Sequence, residues 1–280
     1  MKNFVYNIPT KVYFGDDALE HLGEAMQGKA RRVLIVYGSE RIKKSGLYSR
    51  IAGSLEKVGI ESYGVGGVQP NPDISSVHQG IKAIEEHGLD FVLAVGGGSV
   101  IDASKAIAAG AAMGVDPWLF CKRKAVVKKA LPLATVLTLS ATGSEMNGGS
   151  VISKRETGEK LPFGSDFTRP VMTFLDPTLT YSVPRDQTAA GVADIFTHVA
   201  EQYFEPVGTA GLADRLSEGI MKACLDYGPV AIAEPENYEA RANLMWASSL
   251  ALNSLLSYGK SGGDWATHMV EHELSAVYDV

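Results

Sequence analysis

The chain has 280 residues, 45% of them apolar and 21% charged, with a formal net charge of -6. That profile belongs to a globular protein of one large or two ordinary domains and excludes a disordered or fibrous chain. The acidic balance argues against nucleic acid or an anionic membrane as partner, and the basic runs Lys122-Arg123-Lys124 and Lys128-Lys129 are short enough to read as solvated loops.

Two cysteines, Cys121 and Cys224, lie far apart with no CxxC spacing. The opening Met-Lys-Asn-Phe-Val-Tyr-Asn has no signal-peptide core, and the apolar stretch 106–113 is too short to span a bilayer. These features set the expectation of a cytoplasmic protein without a disulfide framework.

In chain order, Arg32-Val-Leu-Ile-Val-Tyr37 is an apolar run ending at Gly38 and predicts a buried strand. Residues 45–58 carry a helical pattern, 61–64 a short strand, and Gln69-Pro-Asn-Pro-Asp73 a turn. A helix follows over 74–87, a strand over 91–95, a helix over 99–113 and a strand over 133–139. Strand and helix alternate, so the fold class is an α/β domain with a parallel sheet covered by helices on both faces. After about residue 180 the strand signals end, and residues 187–204, 210–227, 237–256 and 264–278 predict helices. The expected division is an α/β domain over 1–178 and an all-helical domain over 179–280, with the boundary near Asp176-Pro177. The sequence up to Val280 stays apolar and patterned, with no polar tail or C-cap.

Three loops follow predicted strands, on the carboxyl edge where α/β sheets bind ligands. Gly38-Ser39-Glu40-Arg41 follows the first. Gly96-Gly97-Gly98-Ser99 sits between a strand and a helix; glycines let backbone approach a pyrophosphate, and the helix N-terminus offers N–H donors. It is neither G-x-G-x-x-G nor a Walker A motif, and a plain glycine-rich turn has the same pattern. Asp102 and Lys105 lie just inside that helix, either as structural groups or orienting a ligand. The third loop, within Thr138-Leu-Ser-Ala-Thr142-Gly-Ser-Glu-Met-Asn147, is rich in hydroxyls suited to a nucleotide's phosphates and sugar.

In the helical half, Asp194 and His198 stand four residues apart, on one helix face. A carboxylate and an imidazole so placed make half of a divalent-metal site, or an ordinary ion pair. His268 and His272 have the same spacing. Of six histidines in the chain, three fall in these two segments. The apolar flanks Val192, Ile195, Phe196 and Val199 predict burial, where a carboxylate needs a partner.

Taken together these segments resemble the iron-dependent alcohol dehydrogenase family, in its branch of butanol dehydrogenases and NADPH-dependent aldehyde reductases. The resemblance runs along the chain through Asn7-Ile-Pro-Thr-Lys-Val-Tyr-Phe-Gly15, Gln69-Pro-Asn-Pro72 and Ala94-Val-Gly-Gly-Gly-Ser-Val-Ile-Asp102. It continues through Leu139-Ser-Ala-Thr-Gly-Ser-Glu-Met-Asn147, Gly191-Val-Ala-Asp194 to His198, and Asp264-Trp-Ala-Thr-His268. It implies a Rossmann-like dinucleotide-binding domain followed by a helical metal-binding domain, the architecture of dehydroquinate synthase. Asp194, His198 and His268 match three metal ligands, and His272 matches a histidine near the nicotinamide. Gly96, Gly97, Gly98 and Ser99 match the pyrophosphate loop with Asp102 beside it. Thr138, Thr142, Asn147 and Lys160 match positions lining the cleft, and Gly38 and Ser39 match the loop at the adenosine ribose.

The implied reaction is reversible hydride transfer between NADP(H) and a primary alcohol or aldehyde such as butanol or butanal, with Fe²⁺, or Zn²⁺ in its place, as the metal. Ser39 in the discriminating position, with Arg41, Lys43 and Lys44 close by, favours NADP over NAD; Glu40 pulls the other way. A homodimer paired through residues 4–14 is implied as well. The family's fourth ligand is a histidine that falls just past Val280, so the expectation is a C-terminally truncated member lacking roughly the last quarter, with weakened metal affinity. Two other readings stay open: a nucleotide-binding remnant without turnover, and a polyol oxidoreductase like glycerol dehydrogenase.

Overall fold

The structure, a computed structural model, describes residues 1–205, 210–260 and 263–278. The strands are β1 (Lys11–Phe14), β2 (Arg32–Tyr37), β3 (Glu61–Val65), β4 (Phe91–Gly96), β5 (Leu133–Leu137), β6 (Gly149–Lys154), β7 (Glu159–Gly164) and β8 (Met172–Leu175). The helices of the first half are α1 (Leu22–Met26), α2 (Arg41–Lys44), α3 (Leu47–Glu56), α4 (Ile74–His87), α5 (Gly98–Met113) and α6 (Trp118–Cys121). Those of the second half are α7 (Arg185–Tyr203), α8 (Gly211–Ala233), α9 (Tyr238–Ala251) and α10 (Ala266–Tyr278).

Six strands form one parallel sheet in the order β1-β8-β5-β4-β2-β3. Its centre explains why the strands read as continuous apolar runs. Leu34 and Val36 of β2 pack with Val92 and Ala94 of β4 against Val77 and Ile84 of α4 and Ile101 and Ile107 of α5. Val33 and Ile35, with Phe91, Leu93 and Val95, pack on the other face against Leu22 and Met26 of α1 and Ile51 and Leu55 of α3. Side chains alternate along a strand, so a strand covered on both faces must be apolar at every position. The Asp73 carboxylate caps α4 by accepting from Ser75 N–H at 2.9 Å, and Gly88, at φ 59°, ends it.

The chain leaves β2 toward β3 on one side and leaves β4 toward β5 on the other. Adjacent strands that wind in opposite directions open a crevice at their carboxyl ends. The loops at that crevice are those beginning at Gly38 and at Gly97.

Some elements escape the sequence pattern. β1 is four residues long and half-exposed, and β8 is equally short and follows Pro170. The antiparallel pair β6–β7 mixes charges and holds Pro162. β5 ends two residues before the predicted limit, where Thr138 N–H turns to the Gly96 carbonyl at 3.1 Å. α8 runs past its expected end at 227 and through Pro229; the bond lost there falls on the carbonyl of the exposed Leu225. α9 stops at Ala251, short of the expected 256, and Ser254 takes φ 83°.

Helices α7, α8 and α9 share a separate core of Ile195, Val199, Ile220, Cys224, Ala247 and Ala251. The two halves meet at the third edge loop. Gly143, at φ 61°, lies so near the Ser248 carbonyl that a Cβ would stand 2.7 Å from it. Ser249 Oγ donates to the buried Glu145 carboxylate at 2.5 Å, and Arg169 Nη2 donates to Ser254 Oγ at 3.1 Å. Among the described residues no helix is long and apolar enough to cross a membrane.

Candidate active site

The glycine loop and the third edge loop are built as one unit. Gly97 is the N-cap of α5 and Gly98 its first residue, so the first N–H groups of a sixteen-residue helix face the crevice. Gly98 has no room for a side chain, because a Cβ would overlap Thr142. Ser99 is half-buried on that first turn, and Thr142 Oγ1 accepts from Ser144 N–H at 3.3 Å.

Behind this surface lies a buried polar network. Lys105 is fully buried, and its Nζ donates to Ser144 Oγ (2.7 Å), Asn147 Oδ1 (3.0 Å) and the Gly149 carbonyl (2.6 Å). Burial pulls its pKa down to about 8, although Asp102 and Glu145 oppose that shift. Asp102 accepts from Ser144 Oγ at 2.5 Å and from Val151 N–H at 2.8 Å. Burial raises its pKa, with Lys105 acting against the rise. Asn147 spends its amide on protein: Nδ2 donates to the Gly143 carbonyl (3.0 Å), and Oδ1 also accepts from Gly149 N–H (2.8 Å). Of the residues read as cleft-lining, Asp102 and Asn147 therefore form the scaffold of the loop; Gly96 is buried at the end of β4 and Gly98 is buried against Thr142, whereas Gly97, Ser99, Thr138 and Thr142 are half-exposed.

The loop after β2 is tied down by Gly67 N–H donating to the Gly38 carbonyl at 2.7 Å. Ser39 Oγ accepts from Arg41 N–H at 3.4 Å. Glu40 turns to its own neighbours, accepting from Tyr37 Oη at 3.3 Å and pairing with Lys43 at 3.1 Å.

The second constellation stands on α7 and α10. One ligand atom from each of Asp194, His198 and His268 lies within 4.8 Å of the others. The Asp194 carboxylate is 3.5 Å from His198 Nδ1 and 3.6 Å from His268 Nε2, and the two imidazole centroids are 4.3 Å apart. Trp265, at φ 61°, sets its ring edge-on to both. His198 is 5% exposed, yet its Nδ1 has no hydrogen-bond partner. Burial lowers its pKa, against the pull of Asp194, and so favours the neutral ring with its lone pair. Burial also pulls on His268, but hydrogen bonds to Asp194 and Glu201 outweigh it and leave that pKa raised. A carboxylate and two imidazoles with an orphaned buried nitrogen among them fit a divalent first-row ion such as Fe²⁺ or Zn²⁺, and give it no thiolate.

Sequence reasoning missed Glu201. It follows Asp194 by seven residues and His198 by three, so it shares their helix face. Its Oε2 pairs with His268 Nδ1, and its Oε1 accepts from Thr267 N–H at 2.6 Å. His272, one turn beyond His268, is not in the three-donor cluster; it lies 3.7 Å from Glu271, and burial followed by nearby Lys160 lowers its pKa. Lys160 on β7 reaches α10, donating to Ser275 Oγ at 2.9 Å and pairing with Glu271 at 3.2 Å.

Comparison with known proteins gives these features a lineage. The model of the family "Iron-containing alcohol dehydrogenase" matches residues 9–177, and that of its C-terminal part matches residues 188–280. NADH-dependent butanol dehydrogenase A of Clostridium acetobutylicum is 50% identical over 100% of this chain and 72% of its own length. NADPH-dependent aldehyde reductase YqhD of Escherichia coli is 43% identical over 99% of this chain and 72% of its own. The crystal structure of NADH-dependent butanol dehydrogenase A of Thermotoga maritima superposes with a TM-score of 0.97 at 41% identity, covering 100% of this chain and 70% of that one. The chain belongs to the iron-containing alcohol dehydrogenase family, and it is an oxidoreductase of the alcohol dehydrogenase and aldehyde reductase type.

Proposed function

We propose that the protein transfers hydride reversibly between NADP(H) and a primary alcohol or aldehyde of the butanol/butanal kind, at a metal held by Asp194, His198 and His268. The observation that carries this reading is the convergence of those three donors around the orphaned His198 Nδ1. A divalent iron or zinc ion bound there supplies Lewis-acid polarisation of the substrate oxygen. The rest of the work falls to the chain. Residues 1–178 hold the dinucleotide: the first N–H groups of α5, with Ser99, bind the pyrophosphate. Thr138, Thr142 and Lys160 line the path to the nicotinamide, and the Asp102–Lys105–Asn147 network keeps the loop in shape. Residues 179–280 hold the donors that orient the substrate carbon toward the coenzyme. His272 moves the proton between substrate and solvent at a ring nitrogen.

The coenzyme preference rests on the loop after β2, because the relatives named above divide between NADH and NADPH. With Glu40 engaged by Tyr37 and Lys43, the groups left for the ribose are Ser39, Arg41 and Lys44, which favour a 2′-phosphate. The protein is proposed to work in the cytoplasm, consistent with its buried unpaired cysteines, and as a homodimer through residues 4–14.

The test is butanal reduction by the purified chain, followed as NADPH loss with and without added Fe²⁺ or Zn²⁺. Metal-dependent turnover that Asp194→Ala abolishes is the expected result. Turnover indifferent to metal and to Asp194→Ala overturns the metal site, and NADPH binding without turnover favours a coenzyme-binding remnant.

A further inference from the structure

We propose that Glu201 is the positioning residue of the metal site, fixing both the ring of His268 and the first turn of α10 so that His268 Nε2 faces Asp194 and His198. This rests on the metal-site reading above.

Glu201 is 7% exposed on the same face of α7 as Asp194 and His198. A carboxylate only accepts hydrogen bonds, so its contact with His268 Nδ1 places the ring proton on Nδ1. In the neutral ring the lone pair then stands on Nε2, the nitrogen 3.6 Å from the Asp194 carboxylate. The second oxygen of Glu201 accepts from Thr267 N–H at 2.6 Å and His268 N–H at 3.3 Å, and its carbonyl accepts from Asp264 N–H at 3.3 Å. Negative charge at a helix N-terminus is itself favourable. One side chain on α7 thus sets the rotation of a ring and the location of the helix that carries it. This anchoring is needed because α10 leaves Met269, Val270, Leu274 and Val277 more than half exposed, so apolar packing does little to locate it. Ligating histidines commonly give their second N–H to a carboxylate, and loss of that partner weakens metal binding about 10–100-fold.

The experiment compares the unsubstituted chain with Glu201→Gln and Glu201→Ala. Zinc affinity is measured by competition with a chromophoric chelator, and the His268 ring nitrogens are followed by ¹⁵N NMR of the metal-free protein at mildly alkaline pH. The expected result is one zinc per unsubstituted chain and about 10–100-fold weaker binding in Glu201→Ala. Glu201→Gln, whose amide oxygen still accepts from Nδ1–H, falls between them. The Nδ1-protonated form of His268 dominates in the unsubstituted chain and is lost in Glu201→Ala. Equal zinc affinity in all three proteins overturns the proposal while leaving the metal site intact. An equal loss in both variants with the Nδ1 proton retained shows that Glu201 only holds α10, and also overturns it. If the unsubstituted chain takes up no zinc, the metal reading falls and this proposal falls with it.

Discussion

The glycine-loop region and the α7–α10 cluster are both polar, both buried and both adjacent to the crevice, yet they are finished differently. Around Lys105 the ammonium meets three acceptors of the protein, although Glu145 Oε2 and Ser140 Oγ of the same loop are buried without a partner. Around Asp194 the unpartnered buried atom is His198 Nδ1, and it stands among two further side chains able to hold a metal. An unmade buried hydrogen bond is costly, and at His198 a bound metal ion would offset it. Substitutions in the first region should therefore act on stability and loop shape, and those in the second on metal and turnover.

The strongest separation is expected from Asp194→Ala. It should lower kcat/KM for butanal by about three orders of magnitude, on the order of 4 kcal/mol of transition-state stabilisation, while the metal-free protein unfolds near its usual temperature. A comparable fall in thermal midpoint would erase the contrast. Lys105→Met is the mirror case. It leaves Asp102 buried without its cation and should cost about 3–5 kcal/mol of stability, read as a shift of the urea midpoint. A loss under about 1 kcal/mol would mean that the network does not act as a unit.

Gly98→Ala presses a methyl group into Thr142 and should weaken NADPH binding about tenfold, an overpacking cost of about 1–3 kcal/mol. Glycine at 98 is dispensable if Gly98→Ala binds as well as the unsubstituted chain; if the clash is the cause, pairing it with Thr142→Ala should restore affinity. Ser39→Asp sharpens the coenzyme assignment. A carboxylate facing a 2′-phosphate should lower the NADPH-to-NADH ratio of kcat/KM about tenfold or more, a little over 1 kcal/mol. An unchanged ratio would take the discriminating role away from this loop.

A further effect is on pH. Below about 8, Lys105 is protonated in folded and unfolded chains alike. Between about 8 and the ordinary 10.5 the folded protein releases a proton that the unfolded chain keeps, so stability rises with pH across that window. The stability advantage over Lys105→Met should widen there, and denaturant titrations at several pH values would detect it.

The comparison also marks what the sequence can disclose. β2, β4, α4 and α5 were legible because double-sided burial and helical periodicity act within a few residues of chain. β1, β8 and the β6–β7 pair were not, because their pairing partners are distant and their patterns are short or mixed. In the site, Asp194 and His198 announce themselves by spacing, and His268 by its motif. Glu201 does not, since a glutamate on a helix reads as solvent-facing until α10 is laid over it. Asp102 on α5 and Asn147 in the hydroxyl-rich loop look like ligand-binding groups, and only tertiary contacts reveal that Lys105, Val151 and Gly143 engage them.

The junction at the third edge loop has a mechanical consequence. That loop is fastened from beneath by Lys105 and from above by Ser249 through the buried Glu145. Prising the sheet and the helices apart across this point would strip a buried carboxylate of its hydroxyl donor, a large cost in a low-dielectric interior. Any opening of the crevice must therefore leave this fastening intact.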